Sequence, residues 1–183
     1  MGKICRSWDV FSSKTILIAA VLALFASVGT ASAETTLEKI KRTGKTTVGT
    51  EAAFPPFEFI KDGKIVGYGK DILDYIIADL GVELNQLDLP WQGILPGVLA
   101  GKFDFVATSV SIRPERVVKY AYTVPIAEGT TWTMKRAGDD SMKSIDDLAG
   151  KVVGTQLASA GEANAKEFEA NLKERGLGGY KEL

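Results

Sequence analysis

The residues best placed to do chemistry lie in one stretch, Gly101 to Arg116. Phe103 to Ala107 is a mainly apolar run with strand character, and three hydroxyl residues follow it, Thr108, Ser109 and Ser111. Pro114 marks a helix start, which puts Arg116 in the first turn. Hydroxyls and open backbone N–H groups at a strand end, with one arginine beside them, can hold a small carboxylate. A guanidinium is a planar fork of matching shape, and a helix N-terminus adds oriented donors. The carboxyl end of a parallel strand is also where open α/β sheets bind ligands. A Ser-rich loop leading into a surface helix, with an Arg113/Glu115/Arg116 charge cluster, fits the same residues equally well.

Other chemistries have little to work with. The sequence has no histidine, and its one cysteine is Cys5. Nucleophilic and imidazole-based acid–base catalysis therefore lack their usual residues, and no G-x-x-x-x-G-K-[ST] phosphate loop occurs. Soft metal ligands are missing too, so neither a metal nor a cofactor is expected. The 22 basic and 23 acidic side chains form no basic stripe, and no nucleic-acid partner is expected.

The N-terminal end reads as a targeting segment. Lys3, Arg6 and Lys14 make a basic start, Ile16 to Val28 is an uncharged apolar run, and Ala31-Ser32-Ala33 supplies a small-x-small cleavage pattern. Residues 1–33 are expected to be a secretory signal peptide cleaved after Ala33, which implies a periplasmic protein. The apolar run is shorter than the roughly 20 residues of a membrane helix. Cys5 precedes that run, so lipid attachment is not indicated, and an exported chain without it has no disulfides.

Behind the leader, helices alternate with strands. Thr36 to Gly44 predicts a short helix capped by Thr36, and Lys45 to Thr50 a strand. Glu51 to Phe57 is a loop because two prolines interrupt it, and Lys61-Asp-Gly63 joins a hairpin of Glu58 to Ile60 with Lys64 to Tyr68. Asp71 is expected to cap a helix with Ile72, Leu73, Ile76, Ile77 and Leu80 on one face, ended by Gly81. A strand over Val82 to Leu89, a helix over Trp91 to Ala100 and a strand over Phe103 to Ala107 follow. Further on, the pattern predicts a strand at Thr130 to Arg136, a short helix at Ile145 to Ala149 and a strand at Lys151 to Gln156. A helix over Ala158 to Arg175, with Ala163, Ala165, Phe168 and Leu172 apolar, and the opening of a strand at Tyr180 complete the series. Such alternation is the mark of an α/β sheet with parallel pairs.

Five segments in order resemble family 3 solute-binding proteins, the periplasmic amino-acid receptors of ABC importers. They are Val48-Gly-Thr-Glu-Ala-Ala-Phe-Pro-Pro-Phe-Glu-Phe59, Gly67-Tyr-Gly-Lys-Asp-Ile-Leu-Asp74, Trp91-Gln-Gly-Ile-Leu-Pro-Gly-Val-Leu-Ala-Gly-Lys-Phe-Asp104, Ser111-Ile-Arg-Pro-Glu-Arg116 and Asp147-Leu-Ala-Gly-Lys-Val-Val-Gly154. The resemblance implies an α/β fold of periplasmic-binding-protein type II, two lobes with a ligand cleft between them. Residues 34–123 would be a nearly complete lobe 1, and residues 124–183 the hinge, first crossed near Tyr122 to Ala127, and about half of lobe 2. The chain is accordingly expected to be a fragment or a truncated product.

The resemblance also implies site roles. Arg116 would pair with the ligand's α-carboxylate. Ser111 would offer its hydroxyl to the α-amino group and its N–H to the carboxylate, while Thr108 and Ser109 line the amino-group side with acceptors. Phe54 and Trp91 would sandwich the ligand side chain, Glu51 would meet that side chain's polar end, and Ser159 would add backbone donors at a helix N-terminus. The family's Gly-Ser/Thr-Thr reads Ala158-Ser159-Ala160 here, and its helix-capping Thr is Arg113, which would put a second cation near the site. The implied activity is non-enzymatic. The protein would bind a small amino acid or derivative, polar or cationic by the presence of Glu51, and deliver it as a monomer to a membrane permease. Two rivals remain open: a periplasmic dehydratase of the same fold, of prephenate or arogenate type, and the ligand-sensing module of a receptor.

Overall fold

The computed structural model describes residues 33–183. The expected signal peptide, residues 1–33, lies outside the described residues apart from Ala33. Helix α1 (Thr36–Thr43) opens with a capping box supplied by Thr35 rather than Thr36. The Thr35 hydroxyl accepts from the Glu38 N–H at 3.2 Å, and the Glu38 carboxylate accepts from the Thr35 N–H at 2.8 Å. That backbone donor holds the Glu38 carboxyl below its ordinary value.

From Ile40 onward the chain builds a parallel sheet around β1 (Lys45–Thr50). Strand β5 (Glu83–Asp88) pairs along one side and β6 (Phe105–Val106) along the other, so the order is β5-β1-β6. Between β1 and β5 come β2 (Ala53–Phe54), β3 (Glu58–Lys61) and β4 (Lys64–Val66), an antiparallel trio of order β2-β3-β4, and helix α2 (Tyr68–Leu80). Helix α3 (Trp91–Leu99) links β5 to β6. Val48, Leu73, Ile94 and Phe103 are buried in this part of the chain. The Phe103 ring is the wedge between strand and helix. A methyl added at Gly49 of β1 would lie 2.7 Å from it, and one added at Gly97 of α3 would lie 2.6 Å from it. Only glycine fits at both positions.

After β6 come the short helix α4 (Pro114–Val117), a 3₁₀ turn (Ile145–Leu148), β7 (Val152–Val153), α5 (Ala160–Glu174) and β8 (Lys181–Glu182). Strands β7 and β8 pair in parallel. Leu148, Ala165, Leu172 and Tyr180 form the core here, with Met142 and Val153 against them. The Tyr180 hydroxyl donates to the Ala165 carbonyl, so this aromatic fills the core and satisfies the helix backbone together.

Several elements depart from the sequence pattern for identifiable reasons. Asp71 does not cap α2. The helix starts at Tyr68 because the carbonyls of Pro56 and Phe57 accept the N–H groups of Tyr68 and Gly69, at 3.0 and 2.8 Å. Gly67 makes that entry at φ 122°, where a methyl would meet the Phe57 carbonyl oxygen at 2.4 Å. The strand expected from Phe103 begins only at Phe105. The Asp104 carboxylate instead turns back to the Thr47 N–H at 2.9 Å and the Thr46 hydroxyl at 3.2 Å. Thr130 to Arg136 is not a strand. Among the described residues no strand pairs with it, Trp132 is 82% exposed and Met134 92%, and an alternating pattern without a sheet neighbour gains nothing by being extended. On α2, Ile76 is exposed while Leu73 is buried, and on α5 Phe168 is exposed while Ala165 and Leu172 are buried.

Candidate functional site

The three parallel strands end together. Register pairs Thr50 with Asp88 and Gly49 with Val106, so the residues that follow β1, β5 and β6 emerge at one edge of the sheet. A polar lattice fixes them there. The fully buried Thr50 donates its hydroxyl to the Ala107 carbonyl at 2.8 Å and accepts from the Gln86 amide at 2.9 Å. The Asp88 carboxylate takes the Ala52 N–H at 2.9 Å. Glu51, Trp91 and Thr108 are thereby placed just beyond the carboxyl ends of neighbouring strands, the position at which such sheets bind ligands.

Arg116 is the electrostatic centre of this edge. It is 8% exposed, and its Cζ lies 5.4 Å from the centre of the Trp91 ring, within cation–π range. Nη1 donates to the Ser111 carbonyl at 3.2 Å and Nη2 to the Ala158 carbonyl at 3.0 Å. Two of the guanidinium's five donors are thus engaged, and the fork retains others for an anion. Pro114 starts α4 beneath it, with Arg113 in the cap position and no side-chain cap bond. The Tyr122 hydroxyl is buried and, among the described residues, unpartnered; burial pushes its phenol up while the Arg116 charge opposes that shift. Ser111 is exposed, and its hydroxyl and N–H make no internal hydrogen bond among the described residues.

Residues from the later part of the chain reach the same place. The Gln156 amide donates to Glu51 Oε1 at 2.7 Å. Ser159 is the N-cap of α5: its hydroxyl accepts from the Glu162 N–H at 3.1 Å, and its own N–H donates to Gln156 O at 3.1 Å. Ser159 therefore spends both groups on its own turn, and the donors open at this helix start belong to the turn's next N–H groups, which have no intrahelical partner. Ala158 stands just before it with φ 60°. Arg113 does not reach the site as a second cation. Its guanidinium is taken by Glu115 at 2.5 Å, Glu167 at 2.8 Å and Asn164 Oδ1 at 2.7 Å, and the Glu115 and Glu167 carboxylates hold it above its ordinary value.

The expected aromatic sandwich takes a different form. Trp91 is 7% exposed and lies against Arg116, so its ring serves as a floor for the guanidinium. Phe54 is 51% exposed and stacks on Phe57 at 5.5 Å with 13° between planes, and Phe57 meets Tyr68 edge-on at 6.2 Å. Of the Trp91 and Phe54 rings, Phe54 is the one with an open face. The residue that sequence reasoning missed is Glu58, 2% exposed at the start of β3. Its carboxylate accepts the Thr108 hydroxyl at 2.6 Å, the Ser109 N–H at 2.5 Å and the Ser109 hydroxyl at 3.0 Å. One signal was present: a lone acid inside the apolar run Phe57-Glu-Phe-Ile60.

Residues 46–174 match the model of the bacterial extracellular solute-binding proteins, family 3. The chain belongs to that family. It is 32% identical over 145 residues to the L-cystine-binding protein TcyJ of Escherichia coli K12, covering 78% of this chain and 54% of the relative. It is 30% identical over 122 residues to a probable histidine-binding protein of Campylobacter jejuni, covering 67% of this chain and 48% of that one. This family-3 chain thus spans about half the length of these curated relatives. Among solved structures it resembles the ancestral amino acid-binding protein AncCDT-1, a precursor of cyclohexadienyl dehydratase. The TM-score is 0.68 at 33% identity, over 81% of this chain and 65% of that one. The fold is therefore the α/β, type II periplasmic-binding-protein fold. Among the described residues no cluster could hold a metal ion and no helix is long and apolar enough to cross a membrane.

Proposed function

We propose that this protein is an extracytoplasmic receptor that binds a small amino acid or derivative for delivery to the permease of an ABC importer, acting as a monomer. Residues 34–123 would be lobe 1, and residues 124–183 the hinge and part of lobe 2. The observation that carries this reading is the place of Arg116: buried on Trp91 at the carboxyl edge of a parallel sheet, with donors remaining on its fork. In this reading the α-carboxylate pairs with Arg116 and the Ser111 N–H, which has no internal partner. The α-amino group lies toward Thr108, Ser109 and the Ser111 hydroxyl, and Phe54 covers the aliphatic part of the ligand side chain. Backbone donors at the Ser159 turn complete the anion site.

Glu51 favours a polar or cationic ligand side chain. Gln156 occupies its Oε1, and Oε2 is the oxygen available to a cationic group. Arg116, Ser111 and one aromatic face supply less than the about 8 kcal/mol of micromolar binding once ordering costs are counted. This chain is expected to bind no tighter than about millimolar. A calorimetric screen of the common L-amino acids tests the reading. Weak, saturable binding of polar or cationic members supports it, and no binding to any member contradicts it.

A second reading, a dehydratase, draws on the likeness to AncCDT-1, whose description ties it to cyclohexadienyl dehydratase. Turnover of prephenate or arogenate would favour it, and binding of amino acids without turnover would favour the receptor.

A further inference from the structure

We propose that Glu58 is a positioning residue that sets the site's preference for an ammonium group. This rests on the amino-acid reading above and adds to it a residue outside the contact shell. Glu58 is 2% exposed, and all its neighbours in hydrogen-bond reach are donors from Thr108 and Ser109. A hydroxyl has one proton and two lone pairs. Once the Thr108 and Ser109 protons are directed to Glu58, at 2.6 and 3.0 Å, only the lone pairs of these two oxygens remain for a ligand. Two hydroxyls that could have served either polarity become acceptors. The same carboxylate holds the Ser109 N–H at 2.5 Å, so that backbone donor is turned away from the ligand as well. The edge is divided by charge: Arg116 and the Ser111 N–H receive an anion, and the Thr108–Ser109 corner receives a cation. An α-amino acid carries one of each. A glutamine at position 58 would break this division, because its amide nitrogen donates where the carboxylate accepts and forces one hydroxyl to reverse.

The neighbouring helix supplies an independent handle. A methyl added at Gly69, in the first turn of α2, would lie 2.8 Å from Glu58 Oε2, so the carboxylate has to shift although its charge stays.

The test compares L-arginine with Nα-acetyl-L-arginine, which keeps the carboxylate and side chain but has no ammonium, by chemical-shift titration of the protein and its E58Q variant. The parent protein should bind L-arginine more tightly than the acetyl form. E58Q should lose about tenfold or more in L-arginine affinity, as for one charge-assisted hydrogen bond, and leave the acetyl form's affinity unchanged. Should E58Q not fold, Gly69→Ala must show the same selective loss. Equal weakening of both probes would mark Glu58 as a structural prop, and an undiminished preference in the variant would overturn the proposal outright. Failure of the parent protein to bind either probe would overturn the proposal together with the amino-acid reading beneath it.

Discussion

Phe103 decides whether β1 and α3 hold the site together, and two glycines of one helix expose its role. The ideal Cβ of an alanine at position 97 would sit 2.6 Å from Phe103 Cε1 and 2.8 Å from Cζ, closer than real side chains approach. The ring has little room to retreat, because its tip also packs against Gly49, where a methyl would lie 2.7 Å from Cζ. Overpacking of this kind costs about 1–3 kcal/mol. Against it stands the better helix propensity of alanine, up to about 1 kcal/mol. Gly93 lies in the same helix with nothing within 4 Å of its added methyl. The propensity gains of Gly93→Ala and Gly97→Ala largely cancel, so the difference between the variants isolates the steric cost. Thermal unfolding followed by circular dichroism should place Gly97→Ala below Gly93→Ala by roughly 2–12 °C, at about 2–4 °C per kcal/mol. Gly93→Ala should melt at or above the parent. Equal midpoints for the two variants would refute the wedge.

Arg116→Lys keeps the charge but loses the planar fork that serves the Ser111 and Ala158 carbonyls and still has donors for a carboxylate, and L-arginine affinity should fall by about tenfold or more; an unchanged titration would contradict the fork's role. Ser159→Ala removes the cap of α5 and should lower the melting midpoint by about 2–4 °C, for a loss of about 1 kcal/mol, whereas an unaltered midpoint would argue against the cap. The Asp147 carboxyl is held below its ordinary 3.8 by the Lys143 and Ser144 N–H groups. A carboxyl depressed in the folded state contributes stability that is present above pH 3.8 and is lost as pH falls through the folded-state value. The melting midpoint should therefore fall on acidification below about pH 4, and Asp147→Asn should flatten that limb; the same acid limb in both proteins would contradict the assignment.

What the sequence made legible follows from how local each cause is. The hairpin at Lys61-Asp-Gly63, the parallel strand Lys45 to Thr50 and the start of α4 at Pro114 depend on residues within a few positions of each other, and the structure has all three. The placement of Arg116 at the edge also follows from strand–loop–helix order. What escaped depends on long-range partners. Gly67 replaces Asp71 as the entry to α2 because carbonyls from the Pro56-Phe57 loop fold over it. Arg113 is captured by Asn164 and Glu167, some fifty positions along the chain, so its pull away from the site is invisible locally. Trp91 is a floor rather than a jaw because Arg116 covers it. Glu58 joins Thr108 and Ser109 across a similar separation, and only the oddity of an acid in an apolar run hinted at it.

The central claim is that Arg116 receives the carboxylate of an α-amino acid. The most direct measurement is the NMR signal of the Arg116 side-chain Nε–H during titration with L-arginine and with agmatine, which has the same side chain but no carboxylate. The signal should move and saturate with L-arginine and stay in place with agmatine. Identical shifts with both ligands, or none with either, would contradict the claim.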